Sequence, residues 1–355
     1  MPFLRPSRLR LALVALVALT TVCGCKNRRY PPTVDLALTA DHAVIATKGK
    51  GGWTAGSAEN GALGFGLPGS PSPAPRLVPD APADVLEVAA SAGASCLRTA
   101  TEVRCVGGKR NFGNGFFTAV PELSGVTQIA LRTETAGVRV CGRSADARVR
   151  CVELGGVANA VPLDAPRVAA LASGPFGLFV VRDDGRVARV EDGFESPKTE
   201  EISGLAQILQ VGVGDRHACA VDAGGAVFCW GANGSGRLGD GTDVDRPLPV
   251  AVANVSGAVS VHPGADFTCV LRRDETIGCW GANDVHQLAD GTTDRALLAK
   301  PVFGAFQVTG LVVGGRGACA AQKDGGSRCW GANGTGRFGD KTTHDHPVPM
   351  PIKIL

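Results

Sequence analysis

The chain has 355 residues, 44% of them apolar, and a formal net charge of +3. That is enough apolar material to bury a core in one large domain or two ordinary ones, so a disordered chain is excluded. So small a charge argues against a DNA or RNA partner, because nucleic-acid binders need a positive surplus to displace condensed counterions. The 49 glycines and 22 prolines punctuate the whole length, as many short strands joined by tight turns require, and point to an all-β protein.

In chain order, the first feature is a basic stretch, Arg5, Arg8 and Arg10, followed by the apolar run Leu11 to Val22. This reads as a signal peptide over residues 1–24, too short for a membrane span, which needs about 18 or more apolar residues. The sequence Val22-Cys23-Gly24-Cys25 resembles the lipobox of bacterial lipoproteins, which implies that Cys25 carries diacylglycerol and becomes the new N-terminus. Cys23 leaves with the peptide. Removing residues 1–24 takes away three arginines and no acid, so the mature chain is formally neutral. Residues 25–33 form an anchor and linker in which Lys26, Arg28 and Arg29 suit anionic lipid head groups.

From residue 34 to 355 the chain is organised as repeats of about 40 to 50 residues, the mark of a solenoid or propeller. Units begin near Val34, Leu86, Thr127, Val168, Ile208, Val259 and Leu311, which predicts a seven-bladed β-propeller. Six blades is the fallback, because unit one carries the proline-rich stretch Leu67 to Ala83, expected to be an extended surface loop and not a strand. In unit one, Gly52-Trp53 matches the Cys-Trp dipeptide of later units. Units two and three carry Cys96 with Cys105 and Cys141 with Cys151; in unit four Phe179 and Arg189 take the cysteine places. The last three units are the most alike: Cys219, nine residues, then Cys229-Trp230-Gly231-Ala232-Asn233, repeated at Cys269 with Cys279-Trp280 and Cys319 with Cys329-Trp330. Trp53, Trp230, Trp280 and Trp330 are thereby expected at one structural position, packing between sheets.

The residues around each first cysteine run apolar and a glycine-rich turn separates them from the second, a hairpin signature that leaves the two cysteines directly opposite. Five intra-hairpin disulfides follow, and export supplies the oxidising setting in which they persist. Zinc is disfavoured, since its cysteines usually lie two to four residues apart. Asn233, Asp240 and their counterparts read as turn residues rather than a calcium loop, which needs carboxylates at alternate positions. His344-Asp345-His346 is the most suggestive cluster for a metal or catalysis, yet it lacks further ligands.

The unit running from Cys219 to Pro249 resembles the regulator of chromosome condensation type of repeat, strongly over 205–355 and weakly over 34–200. The resemblance implies a seven-bladed propeller. Its namesake is a nucleotide exchange factor and chromatin binder, but an exported, neutral chain does not meet a cytoplasmic GTPase, and fold analogy alone does not carry function. The expected function is a membrane-anchored, non-catalytic scaffold of the cell envelope that binds a protein or polysaccharide, with no cofactor and no metal. The alternative is a propeller lyase or glycosidase acting on an envelope polymer.

Overall fold

The computed structural model describes residues 33–352 apart from 48, 50, 58–61, 67–71, 80, 109–111, 135–136, 157–160, 164, 166 and 192–197. Cys23, Cys25 and the signal and anchor reading lie outside the described residues. The described chain forms seven antiparallel four-stranded sheets arranged as a ring, a seven-bladed β-propeller. Their innermost strands are Thr33–Leu38, Glu87–Ser91, Val126–Thr133, Val168–Gly174, Ile208–Val213, Ala258–Pro263 and Val308–Gly314, each within a few residues of an expected unit start. The first unit is a complete blade, so the six-blade alternative falls away.

The middle strands are clamped between neighbouring blades, which is why their sequences run apolar instead of alternating. In blade 5, His217–Asp222 is buried at its first five positions. The hairpin that follows closes with Gly225 N–H donating to Asp222 O at 3.1 Å. Its even spacing sets Cys219 opposite Cys229. The same register pairs Cys141 with Cys151, Cys269 with Cys279 and Cys319 with Cys329, and a turn one residue shorter sets Cys96 opposite Cys105. All five pairs are disulfide-bonded, with Cα atoms 4.0 to 4.1 Å apart. Each closes a short loop, so the chain-entropy contribution is about 2 to 3 kcal/mol. In blade 4, Phe179 does face Arg189 across the hairpin, at the cysteine places.

Two expectations need correction. The stretch Leu67 to Ala83 is not all loop: Ser72–Leu77 is the outermost strand of blade 1, with Ser72 opposite Gly56 as Arg246 is opposite Gly231 in blade 5. Proline read as loop is here a sign of an edge strand, because an outermost strand has one row of N–H groups with no partner and alternate prolines cost it nothing there. Arg246–Ala251 and His346–Ile352 carry the same alternate prolines.

The second correction concerns Trp53. Gly56 crosses over Asp41 and His42 with φ +108°, as Gly231 crosses over Arg216 and His217 with φ +112°, so these two glycines are equivalent. Counting back, Ala55 holds the Trp230 place and Thr54 the cysteine place. Trp53 stands two residues earlier, at the Phe228 position, half-buried and donating its indole N–H to Thr47 Oγ1 at 3.0 Å. Trp230, Trp280 and Trp330 do share one position and are buried. A dipeptide match one unit away from the clear repeats slipped by two residues, which preserves the strand face and so leaves no trace in the alternation pattern.

Candidate functional site

The inner strands surround a central channel. One position, nine residues before the first cysteine place in six of the blades, faces the next blade: Asp35, Glu87, Ala170, Gln210, Ser260 and Gly310, with Gln128 at the same place in blade 3. Gln210 takes both free backbone groups of the neighbouring inner strand, donating to Val261 O at 3.0 Å and accepting Val261 N–H at 2.9 Å. Gln128 clasps Leu171 in the same way at 3.0 and 2.9 Å. Asp35 and Glu87 accept the N–H of Val88 and Ile129 at 2.8 and 3.2 Å. Burial raises the Asp35 carboxyl to about 6, helped by the charge of Glu87 and opposed by the Val88 N–H. Burial also raises Glu87, against its ion pair with Arg98.

A second recurring link runs through buried histidines. His217 Nε2 lies 2.7 Å from Thr268 Oγ1 of the next blade, and Thr268 donates its own proton to Arg237 O at 2.8 Å. The hydroxyl can therefore only accept from His217, which sets the imidazole proton on Nε2. Trp280 Nε1 donates to the same Arg237 carbonyl at 2.8 Å. His42 repeats the arrangement with Ser95 at 2.8 Å, and Ser95 donates to Ala62 O. Burial lowers His217 to about 3 and His42 to about 4.

The cysteine-tryptophan units end in a closed loop. Asn233 Oδ1 accepts Leu238 N–H at 3.0 Å, while its amide donates to Asp240 Oδ1 and Thr242 O at 3.1 Å. Asp240 also accepts from Thr242 and from Arg246. These bonds outweigh the push of burial and hold Asp240 below the usual carboxylate range. Asn283 with Asp290 and Asn333 with Asp340 repeat the loop. The turn reading of these residues is what the structure shows. In the His344 cluster, His346 is buried against Asp340 and Cys329 O, Asp345 accepts Asn333 N–H, and His344 is exposed. The cluster is dispersed, and among the described residues no group of three or more His, Cys, Asp or Glu could hold a metal ion.

A cavity of about 920 Å³ lies toward the end of the channel where the inner strands begin, lined by Gln128, Gln210 and Arg273, and two further surfaces are open to a ligand. At the end where inner strands turn into second strands the channel opens as a cavity of about 380 Å³, and continues into a chamber of about 250 Å³. On the outer side of blades 6 and 7, Phe303 and Phe306 are 70% and 58% exposed. The Phe306 ring lies under the Arg328 guanidinium at 5.4 Å, and Arg328 in turn donates to Pro349 O beside the exposed Val348 and Met350. Neither surface was legible from the repeats, since Phe303 and Phe306 sit in a connection and the channel wall is made of small residues.

Residues 208–237 and 224–271 match family profiles described as the regulator of chromosome condensation (RCC1) repeat. Among solved structures, human WBSCR16 is similar at 19% identity and TM-score 0.56, covering 91% of this chain and 82% of that one. Yeast RCC1 (Prp20) in its complex with Kap60 is similar at 17% identity and TM-score 0.54, covering 90% and 74%. The CRINKLY WD40 ectodomain of the Arabidopsis thaliana receptor kinase ACR4 is similar at 15% identity and TM-score 0.51, covering 91% and 98%. At these identities the likeness is one of fold.

Proposed function

Because the chain carries repeats of the RCC1 type within a seven-bladed propeller, we propose that it is a non-catalytic binding scaffold of the cell envelope whose partner is a protein. The observation that carries this reading is the aromatic and aliphatic patch of Phe303, Phe306, Val348 and Met350, flanked by Arg328. Exposed apolar clusters of this kind favour burial against a partner, with aromatics and arginine supplying most of the binding energy. The yeast neighbour is itself seen bound to a protein, Kap60. Five disulfides suit an exported chain, because cytosolic thiols are kept reduced. No helix among the described residues is long and apolar enough to cross a membrane. We place the membrane attachment instead at a lipid on Cys25.

The test is crosslinking of the intact lipoprotein in its native membranes, beside the double variant Phe303→Ser, Phe306→Ser. The expected result is one dominant protein partner whose yield falls at least tenfold in the variant, as loss of about 1.4 kcal/mol or more predicts. Capture of a polysaccharide, or unchanged capture by the variant, would overturn it. Cys25→Ser should release the protein from the same membranes; its retention there would count against the lipid anchor.

A further inference from the structure

The channel offers a second kind of site. Its mouth where inner strands turn into second strands has opposite charges on two walls: Arg132 of blade 3 and Asp215 of blade 5 both line the cavity of about 380 Å³. Between them blade 4 contributes only Ser173, Gly174 and Pro175, which leaves the space open. Arg132 lies 3.8 Å from one oxygen of Glu134, and the other oxygen accepts from Arg139 at 3.1 Å, so two arginines share one carboxylate at the wall. Beside it, the Thr133 hydroxyl lies 3.1 Å from both Ser91 Oγ and Ala92 O. Asp215 stands on an exposed turn, where burial and the charge of Asp266 raise its carboxyl against the pull of Arg237, which is paired with Asp266 at 2.9 Å, and of Arg216.

The chamber below is different in character. Ala37, Ala89, Ala130 and Val312 line it, and His262 is the one imidazole on its wall, held to Ser260 Oγ at 2.8 Å. Small apolar residues from successive blades leave a pocket that accepts an aliphatic group and offers little to a sugar, which would need stacking rings. A ligand that uses all three features carries an anion, a cation and a short apolar chain. We propose that the channel mouth binds a small apolar α-amino acid, its carboxylate toward Arg132, its ammonium toward Asp215 and its side chain in the chamber below. The site is separate from the patch on the outer side, and its fate does not bear on the protein partner.

Calorimetric titration of the disulfide-bonded chain with L-leucine tests this, alongside leucinamide, N-acetyl-leucine and glycine, each of which lacks one of the three groups. Leucine should bind, and each of the other three should bind at least tenfold more weakly. Arg132 belongs to a buried ion cluster, so the variant of choice is the exposed Asp215→Asn. It should weaken leucine at least tenfold and leave N-acetyl-leucine unchanged. No heat from leucine, equal binding of all four compounds, or an Asp215→Asn protein that binds leucine normally would each overturn the proposal.

Discussion

At the scale of the residue, stability is tied to groups that must stay in one protonation state. His217 in the folded protein takes a proton only near pH 3, whereas an unfolded imidazole does so near its ordinary 6.5. Between these values the unfolded chain binds more protons, so stability rises with pH, is complete above 6.5 and is lost as the pH falls. The loss is about 2 kcal/mol for this histidine between pH 6.5 and 5. Asp35 works in the opposite sense: raised to about 6 from 3.8, it contributes fully below 3.8 and loses that contribution as the pH rises through 6. Chemical denaturation of His217→Gln across pH 4.5 to 7.5 should show lower stability at neutral pH and a slope in acid flatter by about one proton. A slope identical to the parent would mean that His217 is not the group refusing the proton.

At the scale of the element, the blades are joined by a side-chain clasp that is present at some junctions and missing at others. Gln128 and Gln210 each satisfy the free edge of the next inner strand, while Ala170 and Gly310 at the same position have no atoms with which to do so. The expected consequence is that Ala170→Gln stabilises the protein by about 0.5 to 1.5 kcal/mol, the worth of a net hydrogen bond or two. A shift of the urea midpoint upward with an unchanged slope would show it; no shift, or a lower midpoint, would show that the clasp does not transfer. This position was open to reading from the sequence, because it keeps its offset from the first cysteine in all but blade 3. It was missed because no motif marks it and its residues change type around the ring.

At the scale of the whole molecule, every sheet is built from four consecutive strands, so blade 7 and blade 1, at opposite ends of the described chain, are joined neither by a strand ladder nor by a connecting segment. Arg337 is the principal link. Its guanidinium, 2% exposed, donates to Thr39 O and Ala40 O of blade 1 at 2.8 Å and to Ala332 O of its own loop. Gly314 lies so close to Leu38 O that a Cβ would not fit. Phe338 packs with Leu38 and Ala43 across the same seam. Burial lowers Arg337 only to about 10, so it remains charged at neutral pH. Arg337→Met should cost about 3 kcal/mol or more, since it strands several buried carbonyls. Arg237→Met, at the same position of a junction whose blades the chain itself connects, should cost less. Equal losses in denaturation midpoints would show that the seam has no special dependence on Arg337.

The repeat period, the paired cysteines and the proline and glycine punctuation together specified an all-β ring of seven units, because each arises from local geometry: strand alternation, hairpin register and turn conformation act over ten residues or fewer. The contacts between blades were decided only in three dimensions. His217 with Thr268, Gln210 with Val261 and Arg337 with Thr39 join residues about fifty or about three hundred positions apart. Trp53 shows the limit from the other side, since its dipeptide context pointed to one position and the crossing of Gly56 over His42 placed it at another. The channel mouth and the aromatic patch have the same origin. They are assembled from single residues of several blades, and no stretch of sequence carries more than a fragment of either.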